Sequence, residues 1–419
     1  MATNGATKLD WTKFYNIIDG KLETTSKTRY GVNPSTLEAN PEFELIEAAK
    51  HFKGMSNLPF PKRLWTTTQT AGSSQDTRLW VRGTTPQPRS FEMRLTQNQG
   101  VAVGIVPWNS CGKIGPALVT GNAFILKPSP FTPYCDLKLV ELAQQFFPPG
   151  VFQVLSGDDN LGPWLTSHPG VDKVSFTGST ATGKRVMESC SKTLKRVTLE
   201  LGGNDAAIVF PDVDVKAVAP KVCIAIKRIY IHEAIYDELV AEMANVVKNL
   251  PVGDGQQEGT VLGPVQNQMQ FDRVKELLKD IEEQKLKVAA GSTAPASNGK
   301  GYFITPTIVD NPPDNSRIVV EEPFGPVFPV LKWSDEKDVI HRANDTLMGL
   351  GASVWSKDLE KAQSIAKKLK AGNIWINTHM ELQYDAPFGG HKQSGIGYEY
   401  GAGGLKAYCN AQSMFITKA

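Results

Sequence analysis

Two side chains in the middle of the sequence could between them carry covalent catalysis, the carboxylate of Glu200 and the thiol of Cys223. Glu200 closes the apolar, strand-like run from Val197 and is followed by Leu201, Gly202 and Gly203, where two missing Cβ atoms let a second backbone or a ligand come close. Cys223 stands at the head of another apolar run, Cys223-Ile-Ala-Ile226. A thiol nucleophile and a carboxylate base brought to one point suffice for acyl-enzyme chemistry. Taken singly, each has a plainer reading: Cys223 as a small core thiol, Glu200 as a surface carboxylate.

Other motifs give the pair its context. Phe176-Thr177-Gly178-Ser179, with Gly183, Lys184 and Arg185 after it, lies between a strand pattern and a helix pattern. Free backbone N–H groups and the helix dipole make such a turn an anion site. The spacing also satisfies Gly-x-x-x-x-Gly-Lys, so a P-loop nucleotide phosphatase or kinase is the rival class. There the residue after the lysine must offer a hydroxyl to magnesium, and it is Arg185. Pro107-Trp108-Asn109 ends the run Val101 to Val106, at the edge where doubly wound sheets hold ligands, and an amide there can stabilise an oxyanion. Lys127-Pro128-Ser129 ends the next run, and Glu321-Glu322-Pro323-Phe324-Gly325-Pro326 precedes a later one.

The elements that must position these groups follow from the hydrophobic pattern. Phe14 to Ile18 followed by Asp19-Gly20 reads as a strand entering a two-residue turn. Phe43, Ile46, Ala49 and Phe52 fall three apart, which predicts a helix over 43–53, and 56–90 reads as loop. From Gln99, short apolar runs at 101–106, 123–126, 151–155 and 171–176 alternate with helices at 134–146 and 161–167, the mark of βαβ units. After Cys223 a second α/β section is expected, with strands at 302–309, 327–333, 352–355 and 373–377 and helices at 233–250, 266–283, 335–346 and 358–370. Phe91 to Thr96 and the tail from Ala407 read as exposed edge strands that would seek another chain.

Bulk properties narrow the partners. A chain of 419 residues is long for one core, so two or three domains are expected. The net charge of +2 gives no field to draw nucleic acid or an anionic membrane. Five cysteines, at 111, 135, 190, 223 and 409, are odd in number and widely spaced, which argues against a disulfide framework or a zinc site and for a reducing compartment. Neither a secretory leader nor a membrane span is visible, and the expected location is cytoplasmic.

Leu199-Glu200-Leu201-Gly202-Gly203-Asn204, followed by Cys223 before an apolar strand, resembles the NAD(P)-dependent aldehyde dehydrogenase superfamily, and the motifs above occur in that family's order from residue 98 onward. The resemblance implies an α/β fold: a doubly wound, Rossmann-type cofactor domain over 1–203, a catalytic domain over 204–400, and an oligomerisation flap made of 91–99 and 401–419. It implies oxidation of an aldehyde to a carboxylic acid with NAD or NADP, with Cys223 as nucleophile, Glu200 as base and Asn109 at the oxyanion. Trp108, Lys127, Ser129, Phe176, Thr177, Gly178, Ser179, Gly183, Leu201, Gly202, Glu322 and Phe324 would then hold the cofactor, and no metal is needed. Partners would be a small aldehyde and further copies of the chain, as a homodimer or homotetramer. Where NAD-preferring members place an acid three residues after the lysine, this chain has Pro130, which leaves NADP open. Pro387-Phe388-Gly389-Gly390, Lys392, Ser394, Gly395 and Glu399 resemble the family's closing motif and read as structural.

Three departures matter. Helices are missing between the Asn33-Pro34 turn and residue 99, only Ser-Cys-Gly separates Asn109 from Lys113, and about three turns of helix are missing before Cys223. The expectation is a chain that binds cofactor but oxidises aldehydes feebly.

Overall fold

A computed structural model describes residues 9–25, 27–44, 78–79, 91–109, 112–223, 226–294 and 300–415. All of Val101–Ile105 and the first four residues of Ala123–Lys127 are buried, as strands covered on both faces must be. They form the centre of an eight-stranded sheet, ordered Gly395–Ile396, Arg196–Glu200, Lys173–Thr177, Val101–Ile105, Ala123–Lys127, Phe152–Val154, Asn16–Ile18, Lys21–Glu23. The inner strands are parallel, with Ile105 opposite both Phe176 and Lys127, and Thr177 opposite Glu200. Parallel register places the carboxyl ends side by side, so the loops after residues 105, 127, 177 and 200 all open at one edge.

The outer hairpin turns where Asp19-Gly20 demanded it, with φ of 48° and 76° at the two residues. Both lie in the left-handed region that a type I′ turn needs. Helix Thr180–Ser191 starts at Ser179, whose side chain caps the N–H of Thr182, and it packs tightly on Leu201 because Gly183 has no Cβ.

At Asn204-Asp205 the chain crosses into a second sheet, ordered Val288–Ala290, Thr307–Asp310, Val327–Trp333, Arg228–His232, Ala206–Val209, Gly351–Trp355, Asn373–Ile376. Only Val288–Ala290 runs antiparallel. One face buries helices Gln268–Glu283, Glu336–Asn344 and Leu359–Ala366, and the other buries Val215–Val222 and Tyr236–Lys248. The crossing is fixed by Asn204, whose amide donates to the carbonyls of Val319 and Val320, and by the Asp205 carbonyl, which accepts from Lys227 and Arg228. A third sheet pairs Cys409–Phe415 with Phe91–Asn98 and the latter with Arg78–Leu79.

Several expectations are corrected. Phe43 and Glu44 begin no helix; they form a short strand against Thr28–Arg29, while 45–53 lie outside the described residues. Within the stretch read as loop, Arg78–Leu79 is a strand. The strand expected from 302 spans only Thr307–Asp310, and the helix expected from 233 opens with a 3₁₀ turn, Glu233–Ile235. No helix among the described residues is long and apolar enough to cross a membrane.

Candidate active site

At the open edge of the first sheet, Glu200 accepts a hydrogen bond from Thr177 Oγ1 at 2.9 Å, and its carbonyl accepts from the Gly178 N–H. Lys113 Nζ lies 3.8 Å from the Glu200 carboxylate and 2.9 Å from that of Glu399. Lys113 and Glu399 are both almost fully buried, and Ser175 Oγ donates to the same Glu399 oxygen. A buried cation thus joins the half-exposed Glu200 to an interior acid. Sequence reasoning missed this connection: Lys113 looked like the end of a shortened turn and Glu399 like part of a structural motif. Their separation in sequence by 286 residues left no local signal.

The neighbouring groups form a cradle. A Cβ on Gly202 would lie 2.8 Å from Glu322 Oε2, and that oxygen accepts the Gly203 N–H at 3.2 Å. Burial pushes the Glu322 carboxyl up to about 7, a rise opposed by the Lys227 charge. Trp108 meets the ring of Phe131 edge-on at 5.8 Å and that of Phe324 at 5.9 Å, so residues from both large sheets close on one another. Lys127 ends its strand with Nζ bonded to the Pro128 carbonyl, and burial lowers its pKa. Ser129 is buried and accepts the Phe131 N–H, Phe176 is buried beneath the turn, and a Cβ on Gly178 would lie 2.6 Å from its ring. Leu201 donates to the Ser394 carbonyl, while Ser394 Oγ donates to Gly202.

The proposed nucleophile, Cys223, sits in a different setting. Cys223 caps the carboxyl end of helix Val215–Val222 and packs against the apolar cluster that includes Val218, Val222 and Leu239. Burial alone pushes its thiol up to about 12. Among the described residues no hydrogen bond or ion pair joins it to Glu200 or Asn109. Asn109 is exposed, and residues 110–111 after it lie outside the described part. Helix Val215–Val222 runs directly into Cys223, which is partly buried against that cluster.

The model of the aldehyde dehydrogenase family matches residues 68–414. The chain belongs to the aldehyde dehydrogenase family. It is 46% identical over 336 residues to the putative aldehyde dehydrogenase FUS7 of Gibberella moniliformis, covering 76% of this chain and 70% of that protein. Aldehyde dehydrogenase LUC3 of a Fusarium species is 44% identical over 330 residues, with the same coverage. Among solved structures, an NADP-dependent enzyme from E. coli superposes with a TM-score of 0.87 at 29% identity, covering 98% of this chain and 100% of that one. Aldehyde dehydrogenase C of Pseudomonas syringae, solved with NAD+ and octanal, gives 0.84 at 27% identity over 96% of each chain.

Proposed function

We propose that this aldehyde dehydrogenase family member binds NAD or NADP between the two large sheets and oxidises an aldehyde to a carboxylic acid slowly, through Cys223. The cofactor-binding half runs to residue 203, the catalytic half from 204 to 400, and 401–419 serve oligomerisation. The observation that carries the reading of slow turnover is the contrast between Glu200, tied to Thr177 and Lys113, and Cys223, whose thiol burial pushes up to about 12.

The residues at the cleft fit a dinucleotide. Gly178 and Gly202 let Phe176 and Glu322 close against the backbone at the cleft, Lys127 ends its strand beside Ser129, and Glu322 presents a carboxylate to hydroxyl donors. In this reading Ser179 and the turn at 176–183 take the pyrophosphate, Lys127 and Ser129 the adenosine ribose, Glu322 the second ribose, and Trp108, Thr177, Leu201, Gly202 and Phe324 border the rings. Pro130 brings no acid against a 2′-phosphate, so both nucleotides should bind. When bound, the nicotinamide supplies the acceptor for the hydride. The Cys223 thiolate adds to the aldehyde carbon, Asn109 and the Cys223 N–H stabilise the oxyanion, and loss of hydride leaves a thioester on sulfur. Glu200 takes a proton from the water that cleaves the thioester, and Lys113, held by Glu399, offsets the negative charge Glu200 carries before the proton arrives.

Calorimetric titration tests the cofactor reading. NAD and NADP should each bind in the micromolar to millimolar range, and absence of heat with either at millimolar concentration would refute it. Binding of ATP with magnesium instead would favour the P-loop rival. Light scattering should show at least a dimer that dissociates when 407–419 are removed.

A further inference from the structure

The Ser394 side chain takes no part in the chemistry above, yet it joins the two halves of the molecule at the cleft. It is wholly buried. The Gly349 N–H, just before strand Gly351–Trp355 of the second sheet, donates to Ser394 Oγ at 2.8 Å, and Ser394 Oγ donates to the Gly202 carbonyl at 2.6 Å. A hydroxyl has one proton to give, so the Gly349 N–H, by occupying a lone pair, turns that proton onto Gly202. The Ser394 carbonyl accepts the Leu201 N–H at 2.8 Å, which ties the same residue to the backbone one step earlier. We propose that Ser394 is a positioning residue for Glu322: it fixes the peptide between Gly202 and Gly203, whose other edge holds the carboxylate, and so orients the group that takes the ribose on the nicotinamide side of the cofactor. This rests on the cofactor reading given above.

A trans peptide is planar and points its C=O and N–H to opposite edges. Here the C=O faces Ser394, and the N–H donates to Glu322 Oε2 at 3.2 Å. Among the described residues that N–H is the one hydrogen-bond donor to the Glu322 carboxylate. A peptide between two glycines is the least restrained in a chain, because neither neighbour has a Cβ to limit rotation about it. Neither position tolerates a stiffer residue: a Cβ on Gly202 would lie 2.8 Å from Glu322 Oε2, and one on Gly203 would lie 2.8 Å from Asp205 Oδ1 and 2.9 Å from Leu350 Cβ. The site thus needs glycines for close approach and takes its rigidity from Ser394. Turned over, the peptide would set the Gly202 carbonyl against the Glu322 carboxylate, two acceptors with no proton between them. The segment that carries Ser394 is itself held on both sides. His391 N–H donates to the Gly349 carbonyl, and Gln393 accepts Thr180 Oγ1 on its carbonyl at 3.2 Å and Lys184 Nζ on its side chain at 3.0 Å, both from helix Thr180–Ser191.

Two measurements on the full chain test this. In ligand-free protein, hydrogen–deuterium exchange read on peptides covering 199–205 should quicken about tenfold in Ser394→Ala, where the Gly203 N–H loses its fixed orientation, while peptides covering Val101–Ile105 keep the wild-type rate. Exchange unchanged at 199–205, or raised equally in both places, overturns the proposal. In calorimetric titrations Ser394→Ala should weaken NAD about tenfold and leave ADP, which lacks the second ribose, as in the wild type. In a Glu322→Ala background the same substitution should have no further effect on NAD. Equal loss for NAD and ADP, or losses that add in the double variant, would make the serine merely structural and overturn the proposal. Ser394→Cys, which keeps a weak donor at nearly the same volume, should fall between wild type and Ser394→Ala in both assays, and it carries the comparison if Ser394→Ala does not fold. If exchange responds as stated but the wild type binds neither NAD nor NADP, the cofactor reading fails and the link from Ser394 through Gly202 to Glu322 stands.

Discussion

Alkylation of Cys223 should be slow and steeply dependent on pH. Burial raises its thiol from 9.0 to about 12, three units, so at pH 8 the thiolate population is on the order of 10³ lower than for a thiol at the starting value. The thiolate is the nucleophile, so the rate of attack on a small electrophile should fall in proportion. Iodoacetamide labelling read peptide by peptide provides the assay, with exposed Cys135 as the internal reference. Cys223 should lag Cys135 by about two to three orders of magnitude at pH 8, still gain about tenfold per pH unit at pH 10, and label at the same rate in Glu200→Gln. A Cys223 that labels as fast as Cys135 at pH 7.5, or that slows in Glu200→Gln, would refute a thiol raised by burial and not activated by the carboxylate in the resting protein.

Other consequences are as direct. Lys113→Met leaves Glu399 buried without its cation and should cost about 3–5 kcal/mol in denaturant unfolding; a loss below about 1 kcal/mol would show the pair to be solvated. His379, its pKa lowered to about 4, contributes stability that is present above about 6.5 and lost as pH falls toward 4, roughly 3 kcal/mol in full. Asp205, raised to about 6, works the other way: its contribution is full below 3.8 and lost as pH rises through about 6. His379→Gln should therefore leave unfolding free energy falling from pH 4 to 6, and an unchanged pH profile would count against the buried neutral imidazole. Gly202→Ala puts a methyl 2.8 Å from Glu322 Oε2 and should weaken nucleotide binding at least about tenfold while the fold persists; unaltered affinity would remove that glycine from the cradle.

Much of this arrangement was legible because its signals are local. The strand-to-helix turn at 176–183 carries its own cap and its own close-packing glycine, and the hairpin at Asp19-Gly20 its own turn chemistry. What stayed hidden depends on distant residues. The period-three spacing from Phe43 could not reveal that Thr28–Arg29 would pair with Phe43–Glu44. Glu399 reads as one more residue of a glycine-rich tail until Ser175 and Lys113 are placed beside it by sheet and helix packing. Ser394 is one more polar residue of that tail until its hydroxyl is placed between Gly349 and Gly202. The type and neighbours of Cys223 were legible as those of a nucleophile, while its burial at the end of helix Val215–Val222 is visible only in the fold.

The most direct test of the central claim is nucleotide reduction with short aliphatic and aromatic aldehydes, run beside Cys223→Ser and Glu200→Gln. Turnover should be measurable but slow, below about 0.1 s⁻¹ against a typical enzyme value of about 10 s⁻¹, and lost in both variants. Turnover at ordinary enzymatic rates, or a rate indifferent to Cys223→Ser, would contradict it.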